Sequence, residues 1–273
     1  MRVALTGATG IVGGFVHTAL RAAGHRVTTL DRQSGWRLGQ NADLTGQDAL
    51  IHCAFAHAPG LYRGGEGDDP DAFIAANLQG SRMLFDDAHR AGVGRVLFLS
   101  SRAVHDGHGP GLLPDDLPAL PANLYGRVKA GAEAHLAALP LAGCAIRATG
   151  VYGPGPAMKW GPLFRDHLAR RPIAPRIGTE VHAADLAAAI ILLLDHPRPP
   201  ATVNVSDIAL DRAELLGMVN EHLGRALPLP DPADGSALGR LDCTFLRRAG
   251  WQPRGMDGLR REIPDLLDAA TNL

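Results

Sequence analysis

The chain has 273 residues, 46% hydrophobic and 20% charged, with a formal net charge of −1. That length holds one large α/β domain, or one domain with a smaller lobe. Near-neutrality without a charge run gives no basis for a nucleic-acid or anionic-membrane partner. Cys53, Cys144 and Cys243 are odd in number and lack metal spacing, the usage expected of reduced thiols in a cytoplasm. The apolar run Leu186–Leu194 is too short to span a bilayer, and a strand that starts at residue 2 leaves no room for a signal peptide. A soluble, cytoplasmic protein is expected.

Arg2 to Thr6 is a short apolar run of the kind that forms a buried parallel strand. It passes straight into Gly7-Ala8-Thr9-Gly10-Ile11-Val12-Gly13. In that pattern Gly7 permits a tight turn, Gly10 leaves no Cβ between backbone and a pyrophosphate, and Gly13 lets the next helix lie close on the strand. The helix starts near Ile11 and stops at Gly24, its unpaired N–H groups aimed at the phosphates. Arg26 to Leu30 is a second strand, and Asp31 ends it where an acid can accept from adenosine ribose hydroxyls. A glycine triplet alone is weak; one that follows a strand, opens a helix and is answered by an acid is specific for a dinucleotide. An ATPase-type phosphate loop is excluded, since no Gly-Lys-Ser/Thr follows.

Further on, Ala49–Ala54 reads as a buried strand, residues 57–70 as a surface loop, and Asp71–Ala91 as a helix stopped by Gly92. Arg95–Leu99 is a strand that delivers Ser100 and Ser101 at its C-terminal end. Residues 106–121 form a Pro/Gly-rich loop of the sort that lines active sites. A helix from about Ala122 to Leu139 and a strand from Cys144 to Arg147 follow. Strands alternate with helices, so the fold class is α/β, with a Rossmann-type doubly wound parallel sheet and a small C-terminal substrate-binding lobe. Residues 1–155 make the nucleotide domain, with 181–205 returning to it. The lobe takes 156–180 and 206–273, with helices near 211–223, 241–249 and 256–270.

Tyr125 and Lys129 lie four apart on one helix and so share a face. A buried ammonium beside a phenol favours the phenolate, which can exchange a proton with an alcohol or carbonyl while a nicotinamide exchanges the hydride. Ser101 is placed to hold the same substrate oxygen. Other polar residues take plainer readings. His105, Asp106 and His108 offer too few ligands for a metal, His182 is a structural or capping group at a helix start, and Arg165, Arg170, Arg171 and Arg176 read as a solvated face, with a substrate-anion contact for one of them as the alternative.

These motifs, in this order, resemble the extended short-chain dehydrogenases/reductases, also called the NAD-dependent epimerase/dehydratase family. The resemblance runs through the Gly7–Gly13 turn, Ile51-His52-Cys53-Ala54-Phe55-Ala56, Asn77-Leu78-Gln79-Gly80-Ser81 and Leu99-Ser100-Ser101. It continues through Tyr125-Gly126-Arg127-Val128-Lys129 with Glu133, Arg147 with Val151–Gly155, Val181–Ala187 and Gly250–Arg254. It implies Tyr125 as acid/base, Lys129 on the nicotinamide ribose and Ser101 on the substrate oxygen. The cofactor would be NAD rather than NADP, held by Gly7, Thr9, Gly10, Ile11, Val12, Gly13, Asp31, Arg32, Asp43, Leu44, Ala54, Phe55, Ala56, Asn77, Leu99, Tyr125 and Lys129. Asp43 and Leu44 would sit by the adenine. The serine depends on register: reading His105-Asp106 as the counterpart of the family's Tyr-Gly selects Ser101, and a shift of one would select Arg102, which cannot replace a neutral hydroxyl.

The implied function is oxidoreduction at a hydroxyl/keto carbon of a sugar or sugar-like substrate. An epimerase with tightly bound NAD is the alternative, and a non-catalytic nucleotide sensor the third reading. Relatives often dimerise through the helices here at about 71–91 and 122–138, so a homodimer is implied. Members handling nucleotide sugars usually have longer second lobes, with an arginine just before the segment matching Val181-His182. Here Gly178 and Thr179 occupy that stretch after a short loop, with Arg176 two residues upstream, so a compact substrate is expected. Family dehydratases carry an Asp-Glu pair just after the catalytic hydroxyl, where this chain has Arg102, Ala103 and Val104.

Overall fold

A computed structural model describes residues 1–58, 65–155 and 158–271. The chain begins β1 (Arg2–Thr6), α1 (Ile11–Ala22), β2 (Arg26–Leu30), β3 (Ala49–His52). Then come α2 (Pro70–Ile74), a π-helical turn (Ala75–Gln79) and α3 (Gly80–Arg90). β4 (Arg95–Ser101) runs into a 3₁₀ turn (Arg102–His105), followed by β5 (Gly111–Leu113), α4 (Leu124–Ala138) and β6 (Ala142–Ala148). The remainder is β7 (Gly150–Tyr152), α5 (Gly161–Leu168), β8 (Ile177–His182), α6 (Ala183–Asp195), β9 (Thr202–Val205) and β10 (Ile208–Asp211). It closes with α7 (Arg212–Leu223), β11 (Gly239–Leu241), α8 (Thr244–Arg248) and α9 (Gly255–Thr271).

Six strands form one sheet in the order β2-β1-β3-β4-β6-β9, every pairing parallel. Its inner strands are largely apolar on both faces because helices cover both, whereas the edge strand β2 has no fully buried residue. Val16 and Leu20 of α1 pack with Leu186 and Ile190 of α6 on one side. Leu84 and Phe85 of α3 and Ala132 and Leu136 of α4 cover the other. The chain order reverses beside β1, which opens a crevice at the carboxyl ends of β1 and β3, where such sheets take their ligands. A separate apolar cluster of Tyr152, Phe164, Leu215, Leu259 and Leu266 forms the core of the smaller lobe.

Three expectations need correction. The helix read as Asp71–Ala91 carries a π-helical turn at Ala75–Gln79, a local widening that helical periodicity does not register. The loop at 106–121 contains β5, which pairs in parallel with the distant β11. The stretch read as a short loop before Val181 holds the start of β8, which with β7 and β10 makes a three-stranded mixed sheet. These strands are three to six residues long and their partners lie far away in sequence, so no local pattern marks them.

Candidate functional site

The glycine turn is built by collisions that only glycine avoids. Gly7 has φ +73°, and a Cβ there would stand 2.7 Å from the Ala54 nitrogen. At Gly13 a Cβ would meet the Gly7 oxygen at 2.0 Å, so α1 can lie on the turn only without a side chain. Gly10 is open: its nearest neighbour to a Cβ would be 3.4 Å away. Gly10 also caps α1 without a side-chain bond, and the first turn of that helix holds no acid. The donors of Ile11 and Val12 therefore keep their affinity for an external anion, which is what a dinucleotide pyrophosphate needs.

At the end of β2, Asp31 Oδ1 accepts from the Gln33 and Ser34 nitrogens at 2.9 and 3.0 Å, fixing the turn. Oδ2 has no hydrogen bond to a described residue, and Arg32 beside it is exposed. Asp43 Oδ1 accepts from the Thr45 nitrogen at 3.0 Å, and bonds with Thr45 hold that carboxyl below the usual range. Leu44 is 1% exposed, its side chain packed with Leu50 and Leu84, so it offers a ligand only its main chain.

The Ala54–Ala56 loop after β3 is held by a buried polar chain that sequence reasoning missed. Asn77, in the π-helical turn, accepts from the Ala56 nitrogen (2.7 Å) and donates to the Ala56 and Phe73 oxygens (2.8 and 3.0 Å). Its side chain thus shapes the loop and is consumed in doing so. The Ala54 nitrogen donates to Thr6 Oγ1 at 3.1 Å, which leaves the Thr6 hydroxyl to donate to His52 Nδ1 at 2.6 Å. His52 Nε2 then donates to Ser81 Oγ (3.0 Å), and Ser81 donates to the Asn77 oxygen (2.5 Å). Burial, with repulsion from Lys129, pushes the His52 pKa down to about 3, so the ring stays neutral in this one tautomer.

Asn123 caps α4 by accepting from the Gly126 nitrogen at 2.8 Å, so the helix begins immediately before Tyr125. Gly126 brings this end onto the turn that follows Ser101, since a Cβ there would lie 2.5 Å from the Ala103 oxygen. Lys129 is 3% exposed and its Nζ donates to the Leu99 oxygen at 2.7 Å. The ammonium lies over the Phe55 and Phe98 rings, 4.4 and 4.8 Å from their centroids, and 6.0 Å from that of Tyr125. Burial pushes its pKa down to about 7, against the pull of Glu133 one turn along α4. Phe55 meets Tyr125 edge-on with centroids 5.1 Å apart. So Tyr125, Lys129, Phe55 and Leu99 converge at the carboxyl end of β4.

The two serines differ in what they can offer. Ser100 donates its hydroxyl to buried Glu133. Ser101 is half-buried and its Oγ accepts from the Ala103 nitrogen at 3.2 Å, which leaves its proton for another group. Arg102 turns away, pairing with Asp106 at 3.3 Å and donating to the Gly239 oxygen at 3.1 Å. Behind them Arg147 grips Glu133 through Nε (3.2 Å to each oxygen) and Nη2 (2.8 Å). The Nη1 group of Arg147 donates to the Leu117 oxygen (2.9 Å) and to His105 Nε2 (3.2 Å), tying down the 106–121 loop. Tyr125, Lys129 and Glu133 recur every four residues, the one signal from which this group was legible.

Other expected residues fall outside this cluster. His182 caps α6 by accepting from the Ala184 nitrogen at 3.0 Å, with Nε2 3.0 Å from Glu262. His105 and His108 spend their Nε2 atoms on Arg147 and on the Pro118 oxygen. Among the described residues, no group of His, Cys, Asp and Glu is arranged to hold a metal ion, and no helix is long and apolar enough to cross a membrane.

A parallel sheet with a bare helix N-terminus after β1 and an acid closing β2 is the architecture of a dinucleotide-binding α/β protein. The model of the NAD dependent epimerase/dehydratase family matches residues 3–206, and the chain belongs to that family. It is an enzyme of that NAD-using class. It is 28% identical over 258 residues to a 3-diazoavenalumate denitrifying reductase from Streptomyces sp, a match covering 85% of this chain and 83% of the relative. With the UDP-glucose 4-epimerase of Azospirillum brasilense it shares 27% identity over 313 residues, 95% and 90% of the two chains. Its fold matches that of MoeE5, solved in complex with UDP-glucuronic acid and NAD, with TM-score 0.81 at 24% identity over 100% of this chain and 99% of that one.

Proposed function

We propose that the protein is an oxidoreductase that interconverts a hydroxyl and a keto group on a sugar-like substrate. The observation that carries this is that Gly126 presses the Tyr125 end of α4 onto the Ala103 turn just after Ser101, while Lys129 of the same helix bonds the Leu99 oxygen near the end of β4. NAD, when bound, accepts or returns the hydride. Tyr125 exchanges the proton on the substrate oxygen, and Ser101 donates its free O–H to that oxygen and holds it in line. Lys129 favours the phenolate electrostatically and offers its N–H groups to the nicotinamide ribose. Gly10, with the Ile11 and Val12 donors, receives the pyrophosphate. Asp31 accepts from the ribose hydroxyls and repels a 2′-phosphate, which selects NAD over NADP. Asn77 and Thr6 preset the Ala54–Ala56 wall, and the part of the chain at 156–180 and 206–273 covers the substrate.

The test is absorbance at 340 nm with NAD across a panel of sugars, sugar acids and nucleotide sugars, for the wild type and Tyr125→Phe. A dehydrogenase accumulates NADH in solution, whereas an epimerase turns over with its NAD retained. Turnover should fall by roughly 10²–10⁴ in the Phe variant, with NAD affinity held within a few-fold. A Phe variant as active as the wild type would remove Tyr125 from the mechanism.

A further inference from the structure

A buried ammonium needs opposite charge, or its equivalent, close by. Lys129 is 3% exposed and forms no ion pair with a described residue. The titratable groups around it offer no free negative charge. Glu133, one turn along α4, is spent on Arg147 of β6 and on the Ser100 hydroxyl. At the end of β3, burial pushes the Cys53 thiol up to about 12 and the His52 ring down to about 3, so both are neutral near pH 7. The 3₁₀ turn packed on α4 carries Arg102, paired with Asp106, and His105, which burial keeps neutral. From α3, Arg82 lies against Gly131, and Asp86 pairs with His135 farther along α4.

What faces the ammonium is aromatic. Its Nζ lies 4.4 Å from the Phe55 centroid and 4.8 Å from that of Phe98, and one of its three N–H groups goes to the Leu99 oxygen. Phe98 is 2% exposed and belongs to the core, so partly exposed Phe55 closes the open side. A ring face is the negative part of its quadrupole, and its attraction for a cation grows as water is excluded. Phe55 is also fixed in direction. The Ala54 and Ala56 nitrogens on either side of it donate to Thr6 and Asn77. Its ring stands edge-to-face with Phe73 of α2 (5.5 Å) and stacks with His57 (6.4 Å). The same ring meets Tyr125 edge-on at 5.1 Å, so one side chain touches both members of the Tyr–Lys pair. Burial lowers the Lys129 pKa to about 7, so a small change in what faces the ammonium alters its charge at neutral pH.

We propose that Phe55 is a positioning residue: the face of its ring holds Lys129 charged beside Tyr125, where no carboxylate is free to do so, and keeps the pair ready for proton transfer. This rests on the oxidoreductase reading and adds a group that acts through Lys129 without touching the reacting atoms.

Lys129 and Lys159 are the only lysines in the sequence, so magnetic resonance of protein made with isotope-labelled lysine reads Lys129 directly, with Lys159→Arg to assign its signal. The wild type is compared with proteins carrying mono-, di- and trifluorinated phenylalanine at position 55, which keep the ring's shape while draining its face of negative charge. The Lys129 titration midpoint should fall stepwise, by about half to one and a half pH units in the trifluorinated protein. The alkaline limb of turnover should move with it, and NAD affinity should stay within a few-fold. Trifluorinated phenylalanine in place of Phe73 should move neither. A midpoint that fluorination at position 55 leaves in place, one that moves without the alkaline limb, or an equal shift from position 73 would each overturn the proposal. Absence of turnover across the substrate panel, or a Tyr125→Phe protein as active as the wild type, would remove the oxidoreductase reading instead.

Discussion

Replacing Glu133 by Gln tests whether the charge behind the Tyr–Lys face holds α4 in place. The carboxylate is 7% exposed and Arg147 is 5% exposed, so water cannot compensate either charge. Glutamine keeps the shape and can still accept from Ser100 and from one Arg147 N–H. Its amide, however, sets donor against donor, and the guanidinium is left buried without a counter-ion. Breaking such a pair from one side costs ~3–5 kcal/mol. At about 2–4 °C per kcal/mol for a chain somewhat smaller than this one, the melting temperature should drop by roughly 6–20 °C. Glu133→Gln/Arg147→Met removes both charges, and should recover part of that loss, because Leu117 and His105 still lose their donor. The assay is thermal melting followed by far-UV circular dichroism. A Glu133→Gln protein melting within 2 °C of the wild type, or a double variant no more stable than the single, would refute the reasoning.

Two further outcomes follow from the same geometry. Asp31→Asn keeps the acceptor that binds the Gln33 and Ser34 nitrogens while removing the charge. The preference for NAD over NADP should therefore shrink about tenfold in a fluorescence titration, a factor worth about 1.4 kcal/mol. Acid should destabilise the fold. Burial holds His52 near a pKa of about 3 and His105 near about 4, both below the ordinary value of 6.5. From pH 6.5 down to 4 the unfolded chain binds protons that the folded chain refuses, so stability falls with pH by up to about 2.7 kcal/mol per unit. Above pH 6.5 these two groups contribute no slope. Urea midpoints at pH 7, 6 and 5 check this, and equal midpoints would show that water reaches the two rings.

Sequence marked the parts whose chemistry is local. Gly7 and Gly13 are legible because a turn and a packing contact each exclude a side chain within a few residues, and Gly10, whose Cβ position is open, is legible from the spacing of the same motif. Tyr125 and Lys129 are legible because a helix repeats every 3.6 residues. What stayed hidden depends on distant pairings. Ser100 and Ser101 look alike in the chain, and only Glu133, 33 residues away from Ser100, separates a structural hydroxyl from a free one. Asn77 falls within a motif, but its work on Ala56 comes from a π-helical turn that leaves no periodic trace. β5 and β11 are three residues each and lie more than a hundred positions apart. Lys129 packs against Phe55 and Phe98 for the same reason: two strands and a helix must assemble before that surrounding exists.

The family covers reductases, epimerases and dehydratases, and the structure gives a reason to exclude one branch for this chain. Loss of water from a sugar ring needs a base to remove the proton beside the keto carbon and an acid to protonate the departing hydroxyl. Both must act within hydrogen-bond reach of the site proposed at Ser101 and Tyr125. The residues after Ser101 form the 3₁₀ turn Arg102–His105, in which Ala103 and Val104 are fully buried and apolar. Arg102 cannot give up its proton, and it is turned to Asp106 and the Gly239 oxygen. Asp106, the acid that follows, takes its bonds from Arg102 and from Asn123 Nδ2 at 3.1 Å, while Glu133 is closed by Arg147. No carboxylate of this stretch is left to serve as that base, so 4,6-dehydration should be absent. Incubation with NAD and dTDP-glucose or GDP-mannose, followed by mass spectrometry for a product lighter by one water, checks this. A 4-keto-6-deoxy sugar formed by the wild type and lost in Tyr125→Phe would show that a base reaches the site from elsewhere in the fold.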